Sequence, residues 1–418
     1  MRDAWILSIG TELTLGQTVD TNAPWLAREL AALGLRCAEM RTISDDLEPI
    51  TRSIRAACEA ERVILITGGL GPTDDDLTRN AIAVAAEVDL ELCPRSLDAL
   101  RAFFAARGRD MPDRNQVQAM IPRGATAIDN TCGTAPGIHT RLSGADIFAM
   151  PGVPYEMKTM FHRDVAPALR AFGGGAVLLS RIVRTCGLPE ATLGRKIATL
   201  MTRGRNPEVG TTASLSEIGV RINATAPSRE QAATMLDQTE AEIRNRLGDI
   251  VYGRDDDTLA GAVGGLLRAR SATLALAESC TGGLIGELMT DIAGSSEYFL
   301  GGVISYANSA KRDLLGVRPE TLDQHGAVSE QSAIEMAIGA RKALGADFAL
   351  SVTGIAGPGG GSTEKPVGLV YIGIANPTAA IAREYHLGFD SPRDVIRQRA
   401  ARVALNELRR HLLRDQAK

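Results

Sequence analysis

Residues 4–9 (Ala-Trp-Ile-Leu-Ser-Ile) form a continuous apolar run that reads as a buried strand, ended by the turn Gly10-Thr11-Glu12. From Asn22 to Leu33 apolar residues recur at helical spacing. A second short run, Arg62–Thr67, stops at Gly68-Gly69, and a third, 145–150, stops at Pro151-Gly152. Strand-length runs alternating with helical stretches predict βαβ units on a parallel, doubly wound sheet in a first domain over 1–172. In such sheets ligands sit beyond the carboxyl ends of the strands, where these glycine turns lie.

The stretch 171–176 (Ala-Phe-Gly-Gly-Gly-Ala) reads as a hinge. A smaller α+β unit over 176–252 follows, with a helix near 190–202, a strand at Gly219–Ala224 and a helix from Ser228 to Leu247. Asp255-Asp256-Asp257 marks the next boundary. Over 256–415 the α/β pattern resumes, with strands at 272–277, 299–305, 348–352 and 368–374 and an Arg-rich amphipathic helix at the end.

Composition narrows the function. The chain carries 46 Lys+Arg against 50 Asp+Glu, net −4, and only 4% aromatic residues. A basic coat for nucleic acid and stacking platforms for single strands are both missing, so nucleic acid is not an expected partner. The six cysteines show no C-x-x-C pair, which speaks against zinc and disulfide frameworks and for a reducing compartment. The first apolar run is too short for a secretory core, and no run approaches the ~18 residues of a membrane span. A cytoplasmic protein without a membrane partner is expected.

The last domain holds the sharper chemistry. Glu278-Ser279-Cys280-Thr281-Gly282-Gly283 follows an apolar strand and precedes a helix start. A serine on such a turn either caps the helix or presents its hydroxyl as a nucleophile beside helix N–H groups able to hold an oxyanion. None of the five histidines pairs recognisably with it. Lys311, in Tyr306-Ala-Asn-Ser-Ala-Lys311, is a base if apolar surroundings favour its neutral amine, and otherwise a surface lysine. Tyr306 is placed to relay a proton or orient that amine. Gly357 to Gly361 lets backbone amides approach a phosphate or oxyanion, and it also suits a flexible lid. Arg393 and Arg397 open the last helix and can fork onto a phosphate.

In the first domain, Gly68-Gly69-Leu70-Gly71-Pro72-Thr73-Asp74-Asp75-Asp76 follows a strand and opens a helix. Its glycines admit a phosphate, and its acids either hold a hard divalent cation or complement a helix dipole. Thr11, Glu12, Asn22, the Ser44-Asp45-Asp46 turn, Gly133-Thr134 and Tyr155-Glu156 lie on other turns that can converge there. Asn115 and Gln118 can hydrogen-bond a base or ribose.

The C-terminal segments Ala-Glu-Ser279-Cys-Thr-Gly-Gly, Gly294-Ser-Ser296 with Gly-Gly-Val-Ile-Ser-Tyr306, His325-Gly-Ala-Val-Ser329 and Thr353-Gly354-Ile-Ala-Gly357-Pro with Lys365-Pro-Val-Gly resemble the C-terminal domain of the CinA family, a nicotinamide mononucleotide amidohydrolase. The resemblance implies hydrolysis of the nicotinamide carboxamide with no cofactor. Ser279 would be the nucleophile, activated by Lys311 and Tyr306. Thr353 and the glycine turn would support the oxyanion. Gly282, Gly283, Gly294, Ser296, Gly354, Gly357 and Arg393 would contact substrate. Ser391-Pro392 departs from the family's Gly-Asp before that arginine. The first domain resembles the family's molybdopterin-binding-like domain, and 176–252 its KH-like domain. For the first domain this implies metal-dependent hydrolysis of ADP-ribose to AMP and ribose 5-phosphate. Asp45, Asp75 and Asp76 would serve a magnesium-like ion, and Thr11, Glu12, Asn22, Gly68, Gly69, Gly71, Thr73, Asn115, Gly133 and Thr134 the nucleotide. The alternative is a nucleotide- or molybdopterin-binding module without turnover. A homodimer is expected. No G-x-x-G clamp occurs in 176–252, so that unit reads as a spacer or dimerisation element.

Overall fold

The computed structural model describes residues 2–170, 172, 176–388 and 391–415, with only the backbone of residue 2. Apart from Phe172 and Ala176, the expected hinge lies outside the described residues. The chain separates into two compact units, residues 1–180 with 224–236 and residues 181–223 with 237–418.

The N-terminal domain runs β1 (Arg2–Ile9), α1 (Thr11–Thr14), α2 (Asn22–Ala32), β2 (Leu35–Ile43), α3 (Leu47–Ala60), β3 (Val63–Thr67), α4 (Thr78–Ala86), β4 (Leu90–Leu92), α5 (Pro94–Ala105), β5 (Met120–Pro122), β6 (Thr126–Ile128), β7 (Gly137–Leu142), β8 (Ala145–Met150), α6 (Pro154–Met160) and α7 (Ala166–Leu169). Its main sheet has the order β2-β1-β3-β8-β7-β6. The central β3 and β8 are buried along their whole length because helices cover both faces. The expectation of a parallel sheet holds for β2, β1, β3 and β8 and fails at β7, which runs antiparallel to both neighbours. The reason is local. Ser143 and Gly144, both with positive φ, make a two-residue hairpin turn, too short for a helical crossover.

The middle unit contains β9 (Val177–Cys186), α8 (Glu190–Lys196), β10 (Glu208–Ser214), β11 (Glu217–Ala226), α9 (Arg229–Leu247) and β12 (Val251–Arg254), with sheet order β10-β11-β9-β12.

The C-terminal domain comprises α10 (Leu259–Arg268), β13 (Leu274–Glu278), α11 (Leu284–Thr290), β14 (Phe299–Ile304), α12 (Asn308–Leu315), α13 (Pro319–His325), α14 (Glu330–Leu344), β15 (Phe348–Gly354), β16 (Leu369–Ala375), β17 (Ala380–His386) and α15 (Arg393–Asp415). The sheet order is β14-β13-β15-β16-β17; β14, β13 and β15 are parallel, while β16 and β17 are antiparallel additions. Strand alternation divides the core. Leu274 and Leu276 join Phe348, Leu350 and Val352 in packing against α10, α11 and α15. Ala275 and Ala277 pack with Ala349 against Leu315, Met336 and Ala340, from α12 and α14. Continued one step, this period of two sends Glu278 to the α11 and α15 face and Ser279 to the α12 face. Within the same unit, Arg409 of α15 is buried and donates to the carbonyls of Asp249 and Val251, tying the last helix to β12.

Candidate active site

Ser279 leaves the carboxyl end of β13 with its own amide bonded to the Val352 carbonyl at 3.0 Å. Its side chain is only 8% exposed. On the α12 face, Lys311 places Nζ 3.0 Å from Ser279 Oγ, 2.7 Å from the Ser305 carbonyl and 3.3 Å from the Tyr306 carbonyl. Lys311 is 1% exposed, and burial pulls its pKa below the ordinary lysine value. The surface-lysine alternative therefore falls. Cys280, next to the serine, is 5% exposed, and burial pushes its thiol up to about 12. At neutral pH it is a thiol and a poor competitor for the role of nucleophile.

The turn after Ser279 is held from two sides. The Glu278 carboxylate, 3% exposed, accepts from the amides of Gly283 (3.0 Å), Ile285 (3.2 Å) and Gly286 (2.9 Å). Gly282 and Gly283 have φ of 62° and 97°, a left-handed path that side-chain-bearing residues resist. From α15, Arg397 donates to the carbonyls of Cys280 (3.2 Å) and Thr281 (2.7 Å). Three sequence expectations change here. The first-turn amides of α11 serve Glu278, so Ser279 is not the helix cap and those amides are not an oxyanion hole. Arg397 is bonded to the turn rather than free for a phosphate. The role of Glu278 has no signal in the sequence, because its three partners are backbone amides at the start of α11, which no residue type announces.

Tyr306, 61% exposed, meets Lys311 through its carbonyl only. Its phenol oxygen accepts from Arg393 at 2.9 Å, so the expected proton relay is not built. Arg393 also donates to the Gly357 carbonyl (2.7 Å), bridging the glycine loop to the strand end of β14. Despite Ser391-Pro392, α15 begins at Arg393, and the Ile396 amide closes its first turn on the Pro392 carbonyl. The Thr353 hydroxyl donates to the Ala327 carbonyl at 2.7 Å and so supports a neighbouring turn rather than an oxyanion. Lys365 Nζ donates to the carbonyls of His325 and Val328, anchoring the glycine loop to that same turn. Gly354 ends β15 beside this site. Gly294 and Ser296 do not reach it. They precede β14, whose first residue pairs with Leu274 at the opposite end of β13, about 17 Å away at 3.3 Å per residue.

In the N-terminal domain the turns do converge. Glu12, Asp45, Gly68, Gly69, Gly71, Thr73, Asp75, Asp76, Gln118, Thr134 and Glu156 line one cleft of ≈ 380 Å³. Gly68 has φ of 101° and a Cβ there would stand 2.1 Å from the Ile9 carbonyl oxygen, so only glycine lets the strand ends close around the cleft. Thr11 sits just behind it, its amide donating to Asp45 Oδ2 (2.6 Å) and its hydroxyl accepting from the Asp45 amide (3.1 Å). Asn22 lines an adjoining hollow of ≈ 120 Å³ shared with Glu12 and Gly152. Gly133 borders a separate small hollow with Asn130. Asn115 is buried behind the wall and donates to Gln118 Oε1 at 2.9 Å, so it orients Gln118 rather than touching a ligand.

The expected metal carboxylates divide. Asp76 accepts from the amides of Gly71 (2.7 Å) and Thr73 (2.9 Å) and from the Thr73 hydroxyl (2.5 Å), so it closes the glycine loop. Asp45 holds the Thr11 amide. Asp75 is solvent-facing. Among the described residues no three His, Cys, Asp or Glu side chains form a ready metal cage. The all-oxygen donor set fits a magnesium-like ion that takes one or two carboxylates and completes its shell with phosphate oxygens and water.

Three family models match along the chain: a probable molybdopterin binding domain over residues 5–171, the damage-inducible protein CinA KH domain over 180–253, and the CinA C-terminal domain over 256–412. A CinA-like protein of Gloeothece citriformis is 45% identical over 98% of this chain and 99% of its own length. Another, of Prochlorococcus marinus, is 44% identical over 98% of this chain and 95% of its own. Among solved structures, the competence/damage inducible protein CihA of Agrobacterium tumefaciens is 46% identical over 37% of this chain and 93% of that one, with a TM-score of 0.36. With similarity to curated relatives running from end to end, and a molybdopterin-binding-like, a KH-like and a C-terminal module in that order, the chain belongs to the CinA family.

Proposed function

We propose that the C-terminal domain hydrolyses the carboxamide of nicotinamide mononucleotide, giving nicotinate mononucleotide and ammonia. The observation that carries this reading is the 3.0 Å approach of a buried amine to Ser279 Oγ. A neutral amine has two N–H donors and one lone pair. The Ser305 and Tyr306 carbonyls take the donors, which leaves the lone pair for the serine O–H. Lys311 removes the Oγ proton as Oγ bonds to the carboxamide carbon, and the carbonyl electrons move onto oxygen. That oxyanion collapses, the C–N bond breaks, and the ammonium of Lys311 protonates the departing nitrogen to release ammonia. Water then attacks the Ser279 ester with Lys311 again as base, and the ester C–O bond breaks with the proton returned to Oγ. Gly354, Gly357 and Arg393 face the remainder of the nucleotide at the same strand ends. The test is ammonia release from nicotinamide mononucleotide without added cofactor. No release would refute the substrate assignment.

For the N-terminal cleft we propose hydrolysis of ADP-ribose to AMP and ribose 5-phosphate. Its support is the cleft in which glycine-turn backbone stands beside Asp75, Glu12 and Glu156. The backbone of Gly68, Gly69 and Gly71 would let the phosphates come close, with the Gly68 and Gly71 amides bonded to the Met150 carbonyl and to Asp76, and Asp75 would hold the ion. When bound, a magnesium-like ion supplies charge neutralisation between two phosphates and a more acidic water. AMP formation that needs divalent metal supports this; ADP-ribose binding without AMP would favour a binding module. A cytoplasmic homodimer recycling pyridine nucleotides is part of the same proposal.

A further inference from the structure

We infer that Arg393 straps the mouth of the C-terminal site shut by bridging Tyr306 to Gly357, and that a phosphate monoester opens it by drawing Arg393 away. The substrate that carries such a phosphate rests on the nucleotide amidase reading above; the strap itself rests on geometry. Sheet order sets its position. β13 lies between β14 and β15, and Glu278 stands level with Ile304 on one side and with Val352 on the other. Ser279 is the next residue along β13, Tyr306 lies just past Ile304, and Gly357 lies in the loop that follows β15. The Arg393 guanidinium donates to the Tyr306 phenol oxygen (2.9 Å) and to the Gly357 carbonyl (2.7 Å). One side chain thus reaches from the strand on one side of Ser279 to the loop on the other. Ser279, at the strand end where a substrate must arrive, is left 8% exposed.

Two observations make the strap releasable. The first is where the structure is anchored. Arg397, one turn along α15, is bonded to the Cys280 and Thr281 carbonyls, and Lys365 ties the glycine loop to the carbonyls of His325 and Val328. The closing contact instead joins two exposed side chains, Tyr306 and Arg393, which rotate without moving that framework. The second is electrostatic. Both acceptors on Arg393 are neutral, a phenol and a carbonyl, so neither compensates its charge. A phosphate offers charged oxygens that match the guanidinium fork, with hydrogen bonds roughly twice as strong as neutral ones. It therefore exchanges favourably for the Tyr306 and Gly357 bonds and shifts the mouth from closed to open. A carboxamide without a phosphate has nothing to exchange, which makes Arg393 a specificity-determining residue and Tyr306 the catch of the strap.

The full-length chain is compared with Tyr306→Phe and Arg393→Ala. The readout is the rate at which an uncharged fluorophosphonate labels Ser279, with and without inorganic phosphate. In labelling, Oγ bonds to phosphorus, fluoride leaves and Lys311 takes the proton, whatever the natural substrate. Tyr306→Phe removes one bond to a charged donor and should label about tenfold faster than the wild type, as should Arg393→Ala. Inorganic phosphate should accelerate labelling of the wild type and leave Arg393→Ala unchanged. It should likewise accelerate ammonia release from nicotinamide riboside, the substrate without its phosphate, in the wild type alone of these two. A residue that merely contacts the substrate phosphate would move none of these rates. Labelling of both variants at the wild-type rate, or a wild type that phosphate does not accelerate, overturns the inference. Should Arg393→Ala fail to fold, Tyr306→Phe carries the comparison, with a smaller response to phosphate than the wild type. If the labelling rates behave as expected but no ammonia is released from nicotinamide mononucleotide, the substrate assignment fails and the strap stands. If Ser279 stays unlabelled in all three proteins, both fall.

Discussion

Replacing Lys311 by methionine removes the amine while keeping a flexible chain of similar length in a site that is 1% exposed. The variant loses the lone pair facing Ser279 Oγ and the N–H donors to the Ser305 and Tyr306 carbonyls. A positioned general base contributes roughly 10²–10⁴-fold, or about 3–5 kcal/mol of barrier at 1.36 kcal/mol per tenfold. Stability should move much less. The two carbonyls lose a partner, but the cost of burying an ionisable amine disappears with it. Folded-state pKa depression also fixes the pH signature. Burial lowers the Lys311 pKa below 10.5, so the neutral, active form grows as pH rises through that depressed value. Ammonia release followed from pH 6 to 10 (about four decades in proton activity) should climb in the wild type and stay low and flat in Lys311→Met. The linked stability has the same sign. Between the folded pKa and 10.5 the unfolded chain binds more protons, so wild-type stability gains with pH relative to the variant. A variant keeping more than about a tenth of wild-type kcat would refute the role of general base.

Cys280→Ala should retain deamidation, because the thiol is buried and pushed up to about 12, and ammonia release measures this directly. Glu278→Ala should lower the melting temperature: three amides lose their acceptor, at about 1–3 kcal/mol for each buried group left unpaired. An unchanged melting curve would contradict the capping role. Asp75→Ala and chelation should each abolish AMP formation from ADP-ribose while leaving ammonia release intact, as chromatography of both products would show; AMP formation that survives chelation would remove the metal from the account.

What was legible in the sequence was local. Each glycine turn after an apolar run marks a strand end, and those ends carry both sites, as the lining of the N-terminal cleft and the Ser279 turn show. The meeting of Ser279 and Lys311 rested on family motifs, and strand alternation now explains it: Ser279 continues the face of Ala275 and Ala277, over which α12 lies. What escaped was non-local. Arg397 holds the nucleophile turn from 116 residues away in sequence, a bond that no spacing rule announces. Glu278 looked like part of a motif, and its carboxylate turned out to organise the next helix. Ser296 stands in the same motif block as Tyr306, but a strand runs between them and carries the two to opposite ends of the sheet. The antiparallel β7 was hidden because a two-residue turn at Ser143-Gly144 outweighs the surrounding strand-helix rhythm.

The central claim is that the alcohol of Ser279, activated by an uncharged amine, breaks a carboxamide. The most direct measurement is steady-state ammonia release from nicotinamide mononucleotide by the wild-type chain and by Ser279→Ala at equal folded concentration. The account predicts sustained release from the first and none above background from the second. Equal rates from the two proteins would contradict it.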